Sequence, residues 1–134
     1  MKPVLVIDGN RFENFEGWTR EIGRQLLQGE QFNGNLDAFN DILRGGFGTP
    51  DGGFVLRWLN SERSRPVLGH AATARWYEAH LKTCHPSNVR EFQERLAAAG
   101  RGEGATLFDI VVDIIRAHGP GGDEGDDGVV LELA

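Results

Sequence analysis

Two aspartates, Asp37 and Asp41, are the residues of this chain whose spacing most suggests chemistry. If a helix begins at Leu36, Asp37 lies in its first turn, where the helix dipole stabilises a carboxylate. Asp41 then lies beside Asp37, on the face away from the apolar residues of the helix. Such a pair repels itself weakly, and a cationic partner would relieve the repulsion. By spacing alone, the pair is explained more simply as a capping carboxylate and an ordinary surface aspartate.

Asp8 is a second candidate, because it ends an apolar run, where α/β enzymes often place a nucleophile or a phosphate site. A phosphotransferase of the Asp-x-Asp type would need a carboxylate where Asn10 stands. No glycine-rich loop leads into a helix with a lysine. We therefore interpret Asp8-Gly9 as a turn.

Metal ligation is the third possibility. His80 and Cys84 are four residues apart, with His85 adjacent, but zinc needs three or four ligands and the spacing of His70 follows no common pattern. The acidic run 123–128 fails the EF-hand pattern, because glycine and alanine fall at ligand positions. We predict no metal site, no cofactor and no catalytic residue.

Charge and composition narrow the class of partner. The 134 residues include 14 Lys+Arg and 20 Asp+Glu, which gives a net charge of −6. Nucleic acid and anionic membranes reward clustered Lys and Arg, so we expect neither as the main partner, whereas a basic partner stays open. A single cysteine excludes an intrachain disulfide, and the first apolar run is too short for a signal peptide. We therefore expect a cytoplasmic protein.

The elements that must position these side chains follow from the spacing of apolar residues. Short apolar runs predict strands at 4–7, 54–59 and 129–133, the first of them buried on both faces. Apolar residues three and four apart predict helices at 15–26, 36–43, 71–81, 87–99 and 107–115. Asn14, Asn35 and Asn60 are the expected N-caps of the first two helices and of a short helix after the second strand.

This order of elements predicts an α/β fold with a small three-stranded parallel sheet packed with helices, since strands separated by helices form right-handed crossovers. The stretch 69–104 has nearly balanced charge and glycine-rich flanks. We predict that it is a helical hairpin inserted into a single domain spanning 1–134.

The run Gly-Asn-Leu-Asp-Ala-Phe-Asn-Asp at 34–41, preceded by Phe32 and followed by Gly45, resembles the signature of the barstar family. Two further segments are similar to that family: Val-Leu-Arg-Trp at 55–58, and the Glu-Gly pair at 124–125 that leads into the last apolar run. The resemblance covers about 2–68 and 106–134.

The resemblance implies a three-stranded parallel sheet and an intracellular inhibitor that plugs a ribonuclease active site with its second helix and the preceding loop. It implies that Asp41 replaces an RNA phosphate and that Asp37 and Glu124 add acidic contacts. Asn40 and Gly46 stand where barstar carries tryptophans. The expected partner-binding residues are Phe32, Asn33, Gly34, Asn35, Asp37, Asn40, Asp41, Arg44, Gly45 and Glu124.

The resulting expectation is a non-catalytic inhibitor of a basic ribonuclease, of the extracellular or toxin type, bound 1:1 in an immunity or antitoxin role. We expect the free chain to be a monomer. The alternatives are a barstar-fold module that binds another basic protein, and a metal-dependent hydrolase that uses Asp8 and the acidic loop.

Overall fold

Three parallel strands form the centre of the computed structural model, which describes residues 2–134. The strands are β1 (Val4–Asp8), β2 (Val55–Leu59) and β3 (Val130–Leu133), in the spatial order β1-β2-β3. Leu5, Leu56 and Leu131 lie side by side in the register. The sheet confirms the predicted α/β class and its parallel topology.

Within residues 2–134, six helices connect and cover the strands. They are α1 (Phe15–Leu26), α2 (Leu36–Arg44), α3 (Ser61–Val67), α4 (His70–Leu81), α5 (Val89–Gly100) and α6 (Leu107–Ala117). Asn14 accepts a hydrogen bond from the N–H of Gly17 at 2.8 Å, as expected of an N-cap. Residues 86–88 form a 3-10 turn, so α5 begins two residues later than the sequence pattern predicts.

Asn60 does not cap α3, contrary to the prediction. Its backbone is left-handed, with φ of 56°, and its side chain makes no capping hydrogen bond. The Asn60 amide instead donates to Asp8 Oδ1 at 2.8 Å. The side chain therefore joins the ends of β1 and β2 rather than the start of the helix.

The sheet buries one face, not two. Leu56 and Trp58 are fully buried, whereas Arg57 between them pairs with Glu132 of β3 at 2.9 Å and stays partly exposed. Val4 is 44% exposed. The prediction that β1 is buried on both faces was therefore wrong: side chains alternate along a strand, and the helices cover only the face of Leu56.

Aromatic residues fill the space between that face and the helices. Trp18 of α1 packs edge-on against Phe39 of α2, with ring centroids 5.2 Å apart. Trp58 packs against Phe108 of α6 at 5.1 Å, and its indole N–H donates to Ser64 Oγ at 3.0 Å. These contacts hold α2 and α6 on the same side of the sheet.

Helices α4 and α5 form a hairpin, in which Tyr77 packs edge-on against Phe92 at 5.3 Å. The base of the hairpin is built into the core. Ala72 is buried there, and Thr73 Oγ1 accepts the N–H of Leu107 at 2.8 Å. We propose that 69–104 is an insertion within a single domain and that the first turn of α4 has become part of the core of that domain.

No helix within residues 2–134 has the length and apolarity needed to cross a bilayer.

Glu21 joins α1 to the end of β1. Its side chain is 1% exposed, and Oε2 accepts the backbone N–H of Asp8 at 3.0 Å while Oε1 pairs with Arg24 at 2.9 Å. We expect Glu21→Ala to lower the free energy of unfolding by about 2–3 kcal/mol, because a buried N–H loses its acceptor. Urea denaturation followed by circular dichroism measures this.

Glu16 is the matched control, since it lies on the same helix but is exposed. Glu16→Ala removes a first-turn carboxylate and should cost less than about 1 kcal/mol. Equal losses in the two variants would show that Glu21 contributes no more than a surface carboxylate.

Candidate functional site

Helix α2 packs its apolar face into the core and presents its acidic face to solvent. Phe39, Ile42 and Leu43 point into the core, which leaves Asp37 and Asp41 exposed to solvent. Asn35 caps the helix by accepting the N–H of Ala38 at 3.0 Å. The two carboxylates are thus carried by a helix whose other side is held by packing.

The loop before α2 is ordered by its own side chains. Asn33 Oδ1 accepts the N–H of Asn35 at 2.9 Å, and Gly34 has φ of 84°, a left-handed conformation that glycine adopts without strain. A Cβ at Gly34 would lie 3.0 Å from a methyl of Thr19. Asn33 and Asn35 remain exposed, whereas Gly34 is buried against α1.

Phe32 is placed differently from the expectation of a contact residue. It is 7% exposed and packs edge-on against Trp18, with ring centroids 6.0 Å apart. An aromatic ring that packs against other aromatic rings is stabilised more by burial than by exposure to solvent. Phe32 therefore anchors the loop to the core and offers little exposed surface to a partner.

Arg44, the last residue of α2, binds two of the predicted acidic residues at once. Its Nε and Nη2 donate to the two carboxylate oxygens of Glu124, at 2.8 and 3.2 Å, and its Nη1 donates to Asp41 Oδ1 at 2.6 Å. The hydrogen bond with Glu124, followed by that with Asp41, raises the pKa of the Arg44 guanidinium. The structure thus brings Asp41, Arg44 and Glu124 together on one surface. Gly45, half-buried, ends the helix beside them with φ of 107°.

A buried histidine that the sequence analysis did not identify lies beneath this cluster. His118 is fully buried, with Nδ1 2.7 Å from Asp127 Oδ2 and Nε2 2.5 Å from Asn40 Oδ1. The side chain of Asn40, expected at the partner interface, is therefore engaged within the protein. The sequence does contain a sign of this burial. His118 follows the buried positions Val111 and Ile115 at helical spacing, and it comes just before an acidic run.

The same cluster could hold a divalent metal ion. One ligand atom from each of His118, Glu124 and Asp127 lies within 4.8 Å of the others. In the described chain, however, every one of them already has a protein partner: Asp127 and Asn40 for His118, and Arg44 for Glu124. These contacts satisfy the side chains without a metal.

An exposed aromatic residue lies near Asp41. Phe47 is 56% exposed and, with Leu27, Phe32, Ala38 and Asp41, lines an open depression of about 350 Å³. Aromatic side chains, phenylalanine included, are enriched in the cores of protein interfaces. The sequence analysis missed Phe47 because nothing local distinguishes an exposed phenylalanine in a glycine-rich turn from a buried one.

Asp8 has a structural role in the turn after β1. Its Oδ1 accepts the N–H of Asn10 at 2.9 Å and the amide of Asn60 at 2.8 Å. These hydrogen bonds, first that from Asn10, lower the pKa of Asp8. This arrangement confirms the interpretation of Asp8-Gly9 as a turn.

A pH dependence follows from the lowered pKa of Asp8. Since the unfolded aspartate titrates near pH 3.9, the stabilisation by Asp8 is fully present above about pH 4 and is lost as the pH falls through the folded pKa. We expect Asp8→Asn to be less stable than the wild type at pH 7, with the difference shrinking below pH 4. Urea titrations at pH 7, 4 and 3 measure it, and a difference that does not change with pH would contradict the assignment.

His118 should be a stability determinant rather than a surface residue. We expect His118→Phe to lower the free energy of unfolding by about 2–4 kcal/mol, because the partly buried side chains of Asp127 and Asn40 would be left without their partner. The exposed His85→Phe is the matched control and should change stability by less than about 0.5 kcal/mol. Thermal unfolding at pH 7 compares them, and equal stability of both variants would exclude the buried network.

Comparison with known proteins relates this site to a family. A family model described as Barstar (barnase inhibitor) matches residues 2–113, which include β1, α1, α2, β2, α3, the α4–α5 hairpin and part of α6. The match therefore includes 69–104, which the resemblance seen in the sequence left out. Glu124 and β3 lie beyond the matched residues. No curated protein and no solved structure matches the chain. Because the family model spans most of the sequence, the chain belongs to the Barstar family.

Proposed function

We propose that this protein is a non-catalytic inhibitor of a basic ribonuclease and that it binds its target through α2 and the loop before it. The observation that carries the proposal is the pair of exposed carboxylates, Asp37 and Asp41, on a helix that is capped and packed from behind. The family model, which is described as a barnase inhibitor, supports a ribonuclease as the class of target.

The chemistry of a ribonuclease active site fits this surface. Such a site holds phosphate with cationic side chains, and an arginine fork pairs with a carboxylate as it does with a phosphate. A carboxylate on a rigid helix pays little ordering entropy on binding. Asp41 is the proposed central contact, and Asp37, one turn earlier, is the second.

Apolar contacts would complete the interface. Protein interfaces draw most of their binding energy from a few central residues surrounded by contacts that exclude water. Phe47 and the depression beside Asp41 provide such an apolar area next to the charges. Asn33 lines the same depression and offers hydrogen-bonding groups to a partner.

The distribution of negative charge supports rapid association. Asp123 and Asp126 are exposed in the loop before β3, which also carries Glu124. Complementary fields accelerate the encounter of a protein with a basic partner, and salt weakens the effect. Asp127 is less available for a direct contact with the partner, because its carboxylate is hydrogen-bonded to His118.

The cellular setting is part of the same proposal. A cell that makes a ribonuclease must protect its own RNA, so the inhibitor would act in the cytoplasm as an immunity protein or antitoxin. We propose a 1:1 complex formed from a free monomer, since one helix and one loop fill one active site. Binding requires no metal or cofactor and leaves the inhibitor chemically unchanged.

The test is inhibition of a panel of small basic ribonucleases that includes barnase. We expect 1:1 inhibition of at least one member, and we expect Asp41→Asn to weaken binding by about 2–5 kcal/mol, since one charge of a buried pair would be left alone. Glu62→Gln is the matched control, because Glu62 is exposed on α3. A fluorogenic RNA substrate reports inhibition and titration calorimetry reports affinity.

Two outcomes would contradict the proposal. If no member of the panel is inhibited while the chain captures another basic protein, the fold serves a different interaction. If inhibition occurs but Asp41→Asn and Glu62→Gln bind equally well, the ribonuclease is bound elsewhere on the protein.

A further inference from the structure

We infer that Arg44 is an internal competitor that occupies the acidic surface of the free protein and selects partners that present arginine rather than lysine. The inference rests on the proposed function, because it concerns how the same surface recognises its target. Arg44 was expected among the partner-binding residues; its contacts show that it already binds two of the carboxylates a partner would use.

Arg44 binds the two carboxylates in the geometry that an arginine of a partner protein would use. Its guanidinium binds Glu124 through both Nε and Nη2, and it adds a third hydrogen bond to Asp41 through Nη1. A planar fork on a carboxylate is the arrangement that an arginine of a nucleic-acid-binding site would adopt. Arg44 is therefore a stand-in for a cation of the partner.

Exposure makes this contact exchangeable. The side chains of Arg44, Asp41 and Glu124 are 44%, 54% and 39% exposed. Ion pairs in such settings contribute little to stability, because water competes for both partners. An incoming cation can replace Arg44 without unfolding any part of α2.

Asp37 differs from the other two acidic residues. Among the described residues no cation lies within ion-pair distance of Asp37, whereas Asp41 shares Arg44 with Glu124. A cationic partner therefore meets Asp37 without competition, whereas at Asp41 and Glu124 it competes with Arg44. The displacement disfavours weak and non-specific cations.

Selection between arginine and lysine follows from the geometry. Replacing a bidentate guanidinium requires a group that offers the same fork, and the ammonium of lysine is a point charge without it. A lysine-rich partner would bind Asp37 and would displace Arg44 less readily. An active site that presents arginine would displace Arg44 and bind Asp37, Asp41 and Glu124 together.

The experiment uses two synthetic peptides, hexa-arginine and hexa-lysine, with the full chain and two variants of equal charge. Arg44→Gln removes the competitor, and Arg90→Gln removes an exposed arginine from α5 in the hairpin. We expect Arg44→Gln to bind hexa-arginine about three- to tenfold more tightly than Arg90→Gln does at low salt. The preference for hexa-arginine over hexa-lysine should be smaller in Arg44→Gln than in Arg90→Gln.

Equal or weaker peptide binding by Arg44→Gln would overturn the inference, as would an unchanged preference between the peptides. Circular dichroism and a proton–nitrogen NMR spectrum check that the variant is folded. Arg44→Lys, which keeps the charge and loses the fork, provides a second test. It should bind hexa-arginine more tightly than the wild type does, and tighter binding by the wild type would exclude competition.

The ribonuclease panel separates this inference from the proposed function. For a ribonuclease that the wild type inhibits, Arg44→Gln should associate at least about threefold faster than Arg90→Gln, with a steeper salt dependence. If no ribonuclease is bound but the peptide results hold, the proposed function fails and the competitor role of Arg44 stands. If a ribonuclease is bound and the peptide results fail, the reverse is true.

Discussion

The hydrogen bonds of the buried His118 imidazole determine where the acidic surface lies. One ring nitrogen meets Asp127 in the loop before β3 and the other meets Asn40 of α2. Because His118 lies at the end of α6, its side chain ties the second helix to the last connection of the fold. That junction places Glu124 within reach of Arg44 and so beside Asp41. The backbone N–H of Glu124 also donates to the carbonyl of Ala117 at 2.9 Å, which holds the same loop against the end of α6.

The distribution of charge around this junction is more informative than the net charge of −6. Several of the acidic residues have internal partners: Glu21 with Arg24, Asp127 with His118, and Glu124 with Arg44. Asp37 has none among the described residues, and Asp41 shares its partner with Glu124. Asp123 and Asp126 of the loop before β3 are exposed and likewise have no ion-pair partner among the described residues. The negative charge available to a basic protein therefore lies on the outer face of α2 and in that loop.

Local sequence patterns predicted the elements well, because the spacing of apolar residues reflects which face of a helix is buried. The bounds of α1 and α2 were predicted within a residue or two, as was the exposure of Asp37 and Asp41. The prediction that β1 is buried on both faces was wrong, since a short apolar run does not reveal how many layers cover it. The predicted capping role of Asn60 was also wrong, because its side chain donates a hydrogen bond to Asp8 at the end of the neighbouring strand.

By itself the sequence determined the α/β class, the family resemblance and the acidic face of the second helix. Each of these depends on residues that are near one another along the chain. Only the tertiary structure decided that Phe32 is part of the core, that Asn40 is held by His118, and that Arg44 joins Asp41 to Glu124. Those contacts join residues from distant parts of the chain, and no local periodicity encodes them, because they depend on how the helices pack on the sheet.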